Sequence, residues 1–255
     1  MNLEYLLLND LANKTALVTG ASSGLGAHFA TVLARAGARV ILAARRQDAL
    51  QDKVKKIVTG GGKASAVCLD VTNAASVKAL GELLGDVDIV VNNAGLVRDG
   101  PALDQSEADW DLVMDTNLKG IFLVAQTAAR SMRARGRGGS IINIASILGL
   151  RQAGAVLPYA VSKAGVIQAT KILALELARF GIRVNALAPG YFDTELNRTF
   201  WDSESGKAMI RRIPQRRLGC LEDLDGPLLL LASNASRYMT GSVLTVDGGH
   251  LVSSL

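Results

Sequence analysis

Thiol chemistry is nearly absent from this sequence. Cys68 and Cys220 stand far apart, with no ligand-type spacing and no histidine nearby. That excludes a disulfide framework and a zinc site, so no metal is expected, and a reducing cytoplasm is the expected compartment. Aromatic residues are scarce too, at 4%. None interleaves with the short basic runs Arg133 to Arg137 and Arg211 to Arg217, so the net charge of +5 does not describe a nucleic-acid surface. No apolar run approaches the ~18 residues of a bilayer-spanning helix. The leucine-rich opening, Met1 to Leu11, carries Glu4 and Asp10 without a basic leader, which argues against a signal peptide. There is no repeat and no Pro/Ser-rich linker, so the 255 residues read as one domain.

What is present is aliphatic. Hydrophobic residues make up 49%, supplied mainly by Ala, Val, Ile and Leu, and that suits helices packed on a buried sheet. Short apolar runs at 14–19, 39–43, 64–69, 88–91, 140–145, 182–188 and 242–246 read as strands. They alternate with helical patterns at 27–36, 48–58, 107–134, 158–180 and 222–233. This alternation predicts a doubly wound, Rossmann-type α/β fold with a parallel sheet of about seven strands.

The first strand runs directly into Gly20-Ala21-Ser22-Ser23-Gly24-Leu25-Gly26 and then a helix. Glycine removes the Cβ that holds a diphosphate off the backbone, and free N–H groups at a helix start favour its charge. Residues Gly20, Ser22, Ser23, Gly24, Leu25 and Gly26 are therefore candidate dinucleotide contacts. The second strand ends in Ala44-Arg45-Arg46, where NAD-preferring enzymes place an acid for the ribose 2′-hydroxyl. An arginine fork pairs with a phosphate instead, so NADP(H) is expected over NAD(H), with Arg45 first and Arg46 supporting. Asp70, followed by Val71, either accepts from the adenine amino group or caps the helix starting near Thr72. In Asn92-Asn93-Ala94-Gly95, small and amide residues let the chain pass close to a cofactor, with Asn93 and Gly95 preferred.

Proton chemistry is carried further along. Ser146 is delivered at the carboxyl end of the fifth strand, where open α/β sheets place ligands. Tyr159 and Lys163 are four apart on a long helix and share a face, so the ammonium is expected to lower the phenol pKa and make it a usable acid/base. Alone, such a pair is a weak signal. Asn117, a lone asparagine in an apolar helix, reads by itself as a satisfied polar contact.

Together, Thr19-Gly20-x-x-x-Gly24-x-Gly26, Asp70, Asn92-Asn93-Ala94-Gly95, Asn117, Ser146, Tyr159-x-x-x-Lys163 and Pro189-Gly190 resemble the short-chain dehydrogenase/reductase family in its single-domain form, over nearly the whole chain and in the right order. The resemblance implies that Tyr159 is the acid/base and that Ser146 orients the substrate oxygen. Lys163 then tunes the tyrosine and holds the nicotinamide ribose, while Asn117 fixes a helix kink and a proton-relay water. Tyr159, Lys163, Ala94, Pro189, Gly190 and Thr194 join the cofactor contacts. It also implies a variable substrate flap at about 191–217 and a homotetramer, with a dimer second. One departure is Cys220-Leu221, where relatives often carry Glu-Pro or Gln-Pro, and it bears on local loop shape.

Pocket candidates Leu96, Ile147, Leu148, Ala153, Val156, Leu157, Tyr191 and Phe192 are mostly apolar, which favours a ketone or 3-oxoacyl group. An acyl carrier protein is a candidate partner, met by Arg133, Arg135 and Arg137. The alternatives are a gluconate-type sugar-acid dehydrogenase and a non-catalytic NADP(H)-binding regulator. The intact Ser146, Tyr159 and Lys163 argue against the last.

Overall fold

The computed structural model describes residues 11–193 and 201–253. Seven parallel strands form one sheet in the order β3-β2-β1-β4-β5-β6-β7. They are β1 (Thr15–Thr19), β2 (Arg39–Ala44), β3 (Lys63–Cys68), β4 (Ile89–Asn92), β5 (Gly139–Ile144), β6 (Ile182–Pro189) and β7 (Val243–Val246). Between them run α1 (Gly24–Arg35), α2 (Gln47–Thr59), α3 (Ala74–Leu83), α4 (Glu107–Met114), α5 (Gly120–Arg135), α6 (Leu157–Leu177), α7 (Glu204–Ile210) and α8 (Asp225–Ala232). The order reverses between β1 and β4, and the carboxyl ends there form the crevice in which such sheets hold ligands.

Both faces of the sheet are covered, and the period-two alternation of the strands divides the core accordingly. Val18, Val40, Leu42, Val91 and Ile142 face one layer, packed with Phe29 and Leu33 of α1 and Leu228 of α8. Their sequence neighbours Leu17, Ile41, Val90 and Ile141 face the other, packed with Leu80 of α3 and Val124 and Met132 of α5. A buried polar chain runs through the centre. Asn92 Nδ2 donates to Asn143 Oδ1 (2.9 Å), Asn143 Nδ2 to Thr170 Oγ1 (2.9 Å), and Thr170 Oγ1 to the Val166 carbonyl (2.8 Å). Because an unmade bond there is costly, this chain of bonds fixes the register of β4, which leads into the loop at 93–95, against β5, which leads to Ser146, and α6, which carries Tyr159 and Lys163.

The helix expected at 107–134 is interrupted. Residues Asp115–Lys119 form a π-helical turn containing Asn117, and α5 restarts at Gly120, where a Cβ would lie 2.8 Å from Val71. Helical periodicity is blind to a single extra residue of this kind. The last expected helix, 222–233, starts as a 3-10 turn, Leu221–Leu224, before α8. Cys220 takes the cap position there, its amide donating to Asp223 Oδ2 at 2.9 Å.

Candidate active site

The glycine turn is built for close approach. Gly20 has φ +66° and sits so near Ala94 that a Cβ would lie 2.9 Å from its Cα; at Gly26 a Cβ would lie 2.4 Å from the Gly20 carbonyl oxygen. Thr19 Oγ1 accepts from the amides of Asn93 and Ala94, both at 3.0 Å, locking this turn to the end of β4. Asn93 Nδ2 donates to the Thr19 carbonyl at 3.1 Å, so Asn93 also braces the turn. The N-cap of α1, Ser23, gives its helix no side-chain cap bond, whereas Asn73 and Ser106 cap α3 and α4. The first amides of α1 are therefore available to an anion.

A cavity of about 250 Å³ opens beside this turn, lined among others by Gly20, Ser22, Ser23, Arg45, Arg46 and Asp70. Val71, Ala94, Gly95 and Leu96 continue its wall, together with Ala44, Thr72 and Thr116, which the sequence did not single out. Both arginines line the cavity. Arg46 is the seated one, Nη2 donating to Ser22 Oγ and Ser23 Oγ at 3.0 Å each. Asp70 Oδ1 accepts from the Thr72 hydroxyl (2.7 Å) and amide (3.0 Å), and the cap of α3 falls to Asn73 instead. The Thr72 hydroxyl bond, opposed by burial, holds the Asp70 carboxyl below its ordinary range, and the Arg45 charge adds to this. Glycine cradle, uncapped helix start, cavity and seated arginine together fit a dinucleotide.

At the far end of the cavity Gly95 meets the catalytic candidates. A Cβ on it would lie 3.6 Å from Lys163 Nζ and 3.3 Å from Asn117 Oδ1. Asn117 Oδ1 accepts from the Leu96 amide and its Nδ2 donates to the Leu96 carbonyl, both at 2.8 Å. Its Nδ2 also donates to Ser162 Oγ at 3.2 Å, and Ser162 Oγ donates to the Tyr159 carbonyl at 2.7 Å. The π turn thus ties α6 to the loop after β4, and Asn117 acts here as a clamp.

Lys163 is buried. Its Nζ donates to the Ile144 carbonyl at 2.7 Å and stands 5.6 Å from the centre of the Tyr159 ring, so the two share a face as the spacing predicts. The Ser146 hydroxyl oxygen accepts from the Leu148 amide at 3.1 Å, which fixes the serine on the loop after β5. The electrostatics differ from expectation. Burial pushes the Tyr159 phenol above its ordinary value, Ser146 opposes this, and Tyr191 adds to it. Burial also pushes Lys163 down to about 8. Desolvation of the phenolate is the largest effect, so the phenol stands protonated near neutral pH.

The substrate-side candidates separate. Ile147 is 1% exposed and packs beneath its loop, so it offers no accessible surface. Phe192 is buried against Gly219, where a Cβ would lie 2.5 Å from its ring, and lines a second cavity of about 300 Å³ with Tyr191, Arg217, Asp223 and Asp247. Gly190 packs on Asp247 so closely that a Cβ would lie 2.8 Å from the aspartate Cα, which holds Pro189 and Gly190 at the end of β6. Leu96, Leu148, Ala153, Val156 and Tyr191 are half-buried and Leu157 is exposed. Thr194, and Leu196 and Phe200 of the expected flap, lie outside the described residues. Of two residues that sequence reasoning passed over, His250 packs against Tyr191 and Arg151 donates to the His250 carbonyl. Their only signals were the position of Arg151 five residues after Ser146 and the rarity of histidine, two in the chain.

A switch-point crevice with a glycine cradle, ending at a serine, a tyrosine and a lysine, defines an NAD(P)-dependent oxidoreductase. A family model described as enoyl-(acyl carrier protein) reductase matches residues 20–250. The chain is 40% identical to gluconate 5-dehydrogenase of Gluconobacter oxydans (strain 621H), over 96% of this chain and 98% of that one. It is 38% identical to 3-oxoacyl-(acyl-carrier-protein) reductase of Thermotoga maritima, over 95% and 99%. Among solved structures, gluconate 5-dehydrogenase from Burkholderia cenocepacia J2315, in complex with NADP and tartrate, superposes with a TM-score of 0.93 at 37% identity, covering 98% of this chain and 99% of that one. The chain belongs to the short-chain dehydrogenase/reductase family and is an oxidoreductase acting on CH–OH and C=O groups. No helix among the described residues is long and apolar enough to cross a membrane.

Proposed function

We propose that the protein is an NADP(H)-preferring enzyme that interconverts a ketone and a secondary alcohol with Tyr159 as the acid/base. The observation that carries this reading is the pairing of Tyr159 with Lys163 on one face of α6, the ammonium nitrogen 5.6 Å from the phenol ring centre, at the end of a cavity lined by Arg45 and Arg46. The glycine turn and the first amides of α1 would hold the diphosphate, Arg46 with Arg45 the 2′-phosphate, and Lys163 the nicotinamide ribose. When bound, the nicotinamide supplies or accepts the hydride. Ser146 holds the substrate oxygen, and the protonated Tyr159 gives its proton to the developing alkoxide in the reductive direction. Positioned proton transfer of this kind contributes ~10²–10⁴-fold.

For substrate, the gluconate-type alternative gains over a carrier-bound acyl chain. Arg135, expected to meet an acidic carrier, is turned inward: it donates to the Val87 carbonyl and pairs with Asp88 at 3.5 Å, the two side chains 12% and 18% exposed. Arg133 stacks on Phe180 at 5.2 Å and Arg137 reaches Asp86 at 4.0 Å, so each already has a partner within the chain. The solved neighbour in complex with NADP and tartrate supports the same direction. A homotetramer, or secondly a dimer, is supported by exposed apolar side chains on the long helices, Phe122 on α5 and Val161, Ile172 and Leu175 on α6. Light scattering of the purified chain reads that state. The nucleotide reading is tested by comparing kcat/KM for NADPH and NADH with one ketone. A ratio of about ten or more in favour of NADPH is expected, and equal values overturn the preference.

A further inference from the structure

Beside Tyr191 and the Ser146 loop stands a polar cluster that the hydride and proton steps do not use. His250 lies on the 3-10 turn His250–Val252 near the chain end. It is 7% exposed, and its Nδ1 has no hydrogen-bond partner among the described residues. The imidazole packs edge-on against Tyr191, ring centres 5.4 Å apart at 62°, and Tyr191 packs likewise on Trp201 at 5.4 Å and 72°. Arg151 lies on the loop that carries Ser146, its amide bonded to the Ile147 carbonyl at 2.8 Å. Its guanidinium donates to the His250 carbonyl and, at 3.1 Å, to Ser253 Oγ, so the catalytic loop and the chain end are latched together. Imidazole and guanidinium are thereby held together beside Tyr191 and the Ser146 loop.

A buried nitrogen without a partner is rare and costly, and beside a reactive group it marks a place where a ligand completes the bonding. We propose that His250, latched by Arg151 and packed on Tyr191, is a specificity-determining residue that hydrogen-bonds a hydroxyl of a hydroxy-acid substrate whose carboxylate meets the Arg151 guanidinium. This rests on the hydride-transfer reading above and names the substrate class of that site. A substrate hydroxyl both donates and accepts, so it satisfies a neutral imidazole in either tautomer. A hydrocarbon chain in the same place leaves Nδ1 unpaired and strips water from a cation without replacing it, and selection against groups lacking a required hydrogen bond is the stronger form of discrimination.

The test measures NADP⁺-dependent oxidation of D-gluconate and of cyclohexanol by the full chain, as wild type, His250→Ala and His250→Asn. NADPH binding, followed by fluorescence, certifies each variant as folded. The ratio of kcat/KM for gluconate to that for cyclohexanol is expected to fall about tenfold or more in His250→Ala, through KM for gluconate, and to recover in His250→Asn, which restores a hydrogen-bonding group near Nδ1. A ratio unmoved by His250→Ala, or a fall in kcat alike for both alcohols, overturns the proposal. If His250→Ala does not bind NADPH, the ratio in His250→Asn decides: a value closer to wild type than about threefold is expected, and loss of gluconate selectivity there is the contrary result. A wild-type enzyme that oxidises cyclohexanol and not gluconate sinks the hydroxy-acid assignment and leaves hydride transfer standing. Inertness toward both alcohols, and toward a ketone panel with either nucleotide, sinks the two together.

Discussion

Lys163 Nζ stands 5.6 Å from the centre of the Tyr159 ring and donates to the Ile144 carbonyl at 2.7 Å, inside a wall that leaves the lysine 4% exposed. Burial lowers its pKa from 10.5 to about 8, so the folded protein resists carrying this charge.

The pH dependence of stability follows in sign. Between about 8 and 10.5 the unfolded lysine holds a proton that the folded one has released, so this group's contribution to stability rises with pH across that window and is least favourable below it. Lys163→Met, which carries no charge to bury, is therefore expected to gain in melting temperature relative to wild type near neutral pH and to lose that advantage as pH approaches about 10.5. Paired thermal melts at several pH values check this. A difference between the two proteins that is flat with pH contradicts it.

Gly26 makes a steric prediction. A Cβ there would lie 2.4 Å from the Gly20 carbonyl oxygen and 2.5 Å from Asn93 Nδ2, separations no real Cβ shows. Gly26→Ala must push the turn away from β4, and NADPH affinity is expected to fall about tenfold or more with a lower melting temperature. Isothermal titration and a thermal melt read both.

Arg46 rests on Ser22 and Ser23 at the cavity edge. Arg46→Ala is expected to raise KM for NADPH about tenfold while leaving KM for NADH within about twofold, since removing a partner of the 2′-phosphate penalises only the nucleotide that carries one. Equal losses for the two nucleotides would assign Arg46 to the architecture of the turn instead.

Much of this arrangement was legible from local pattern. Strand runs such as 14–19 and the glycine turn after them announce themselves by spacing, and the observed β1 (Thr15–Thr19) and α1 follow it closely. Features set by contacts distant in sequence were not legible. The π turn at Asn117 exists because its amide clamps Leu96, 21 residues earlier, and nothing in a helical period signals that. The inward turn of Arg135 depends on Asp88 and Val87 across the sheet edge. Arg151 and His250 meet across 99 residues, and Ile147 has the character of a pocket residue that only its burial removes from the pocket. The phenol's raised pKa is of the same kind: the Lys163 neighbour is visible in the sequence, the burial that raises the phenol is not.

Whether Tyr159 carries the proton is tested most directly by the steady-state turnover of Tyr159→Phe, measured alongside its NADPH dissociation constant. A loss in kcat of at least about a hundredfold is predicted, with NADPH affinity within about threefold of wild type. Turnover within about threefold of wild type in that variant, with the nucleotide still bound, would contradict the acid/base role.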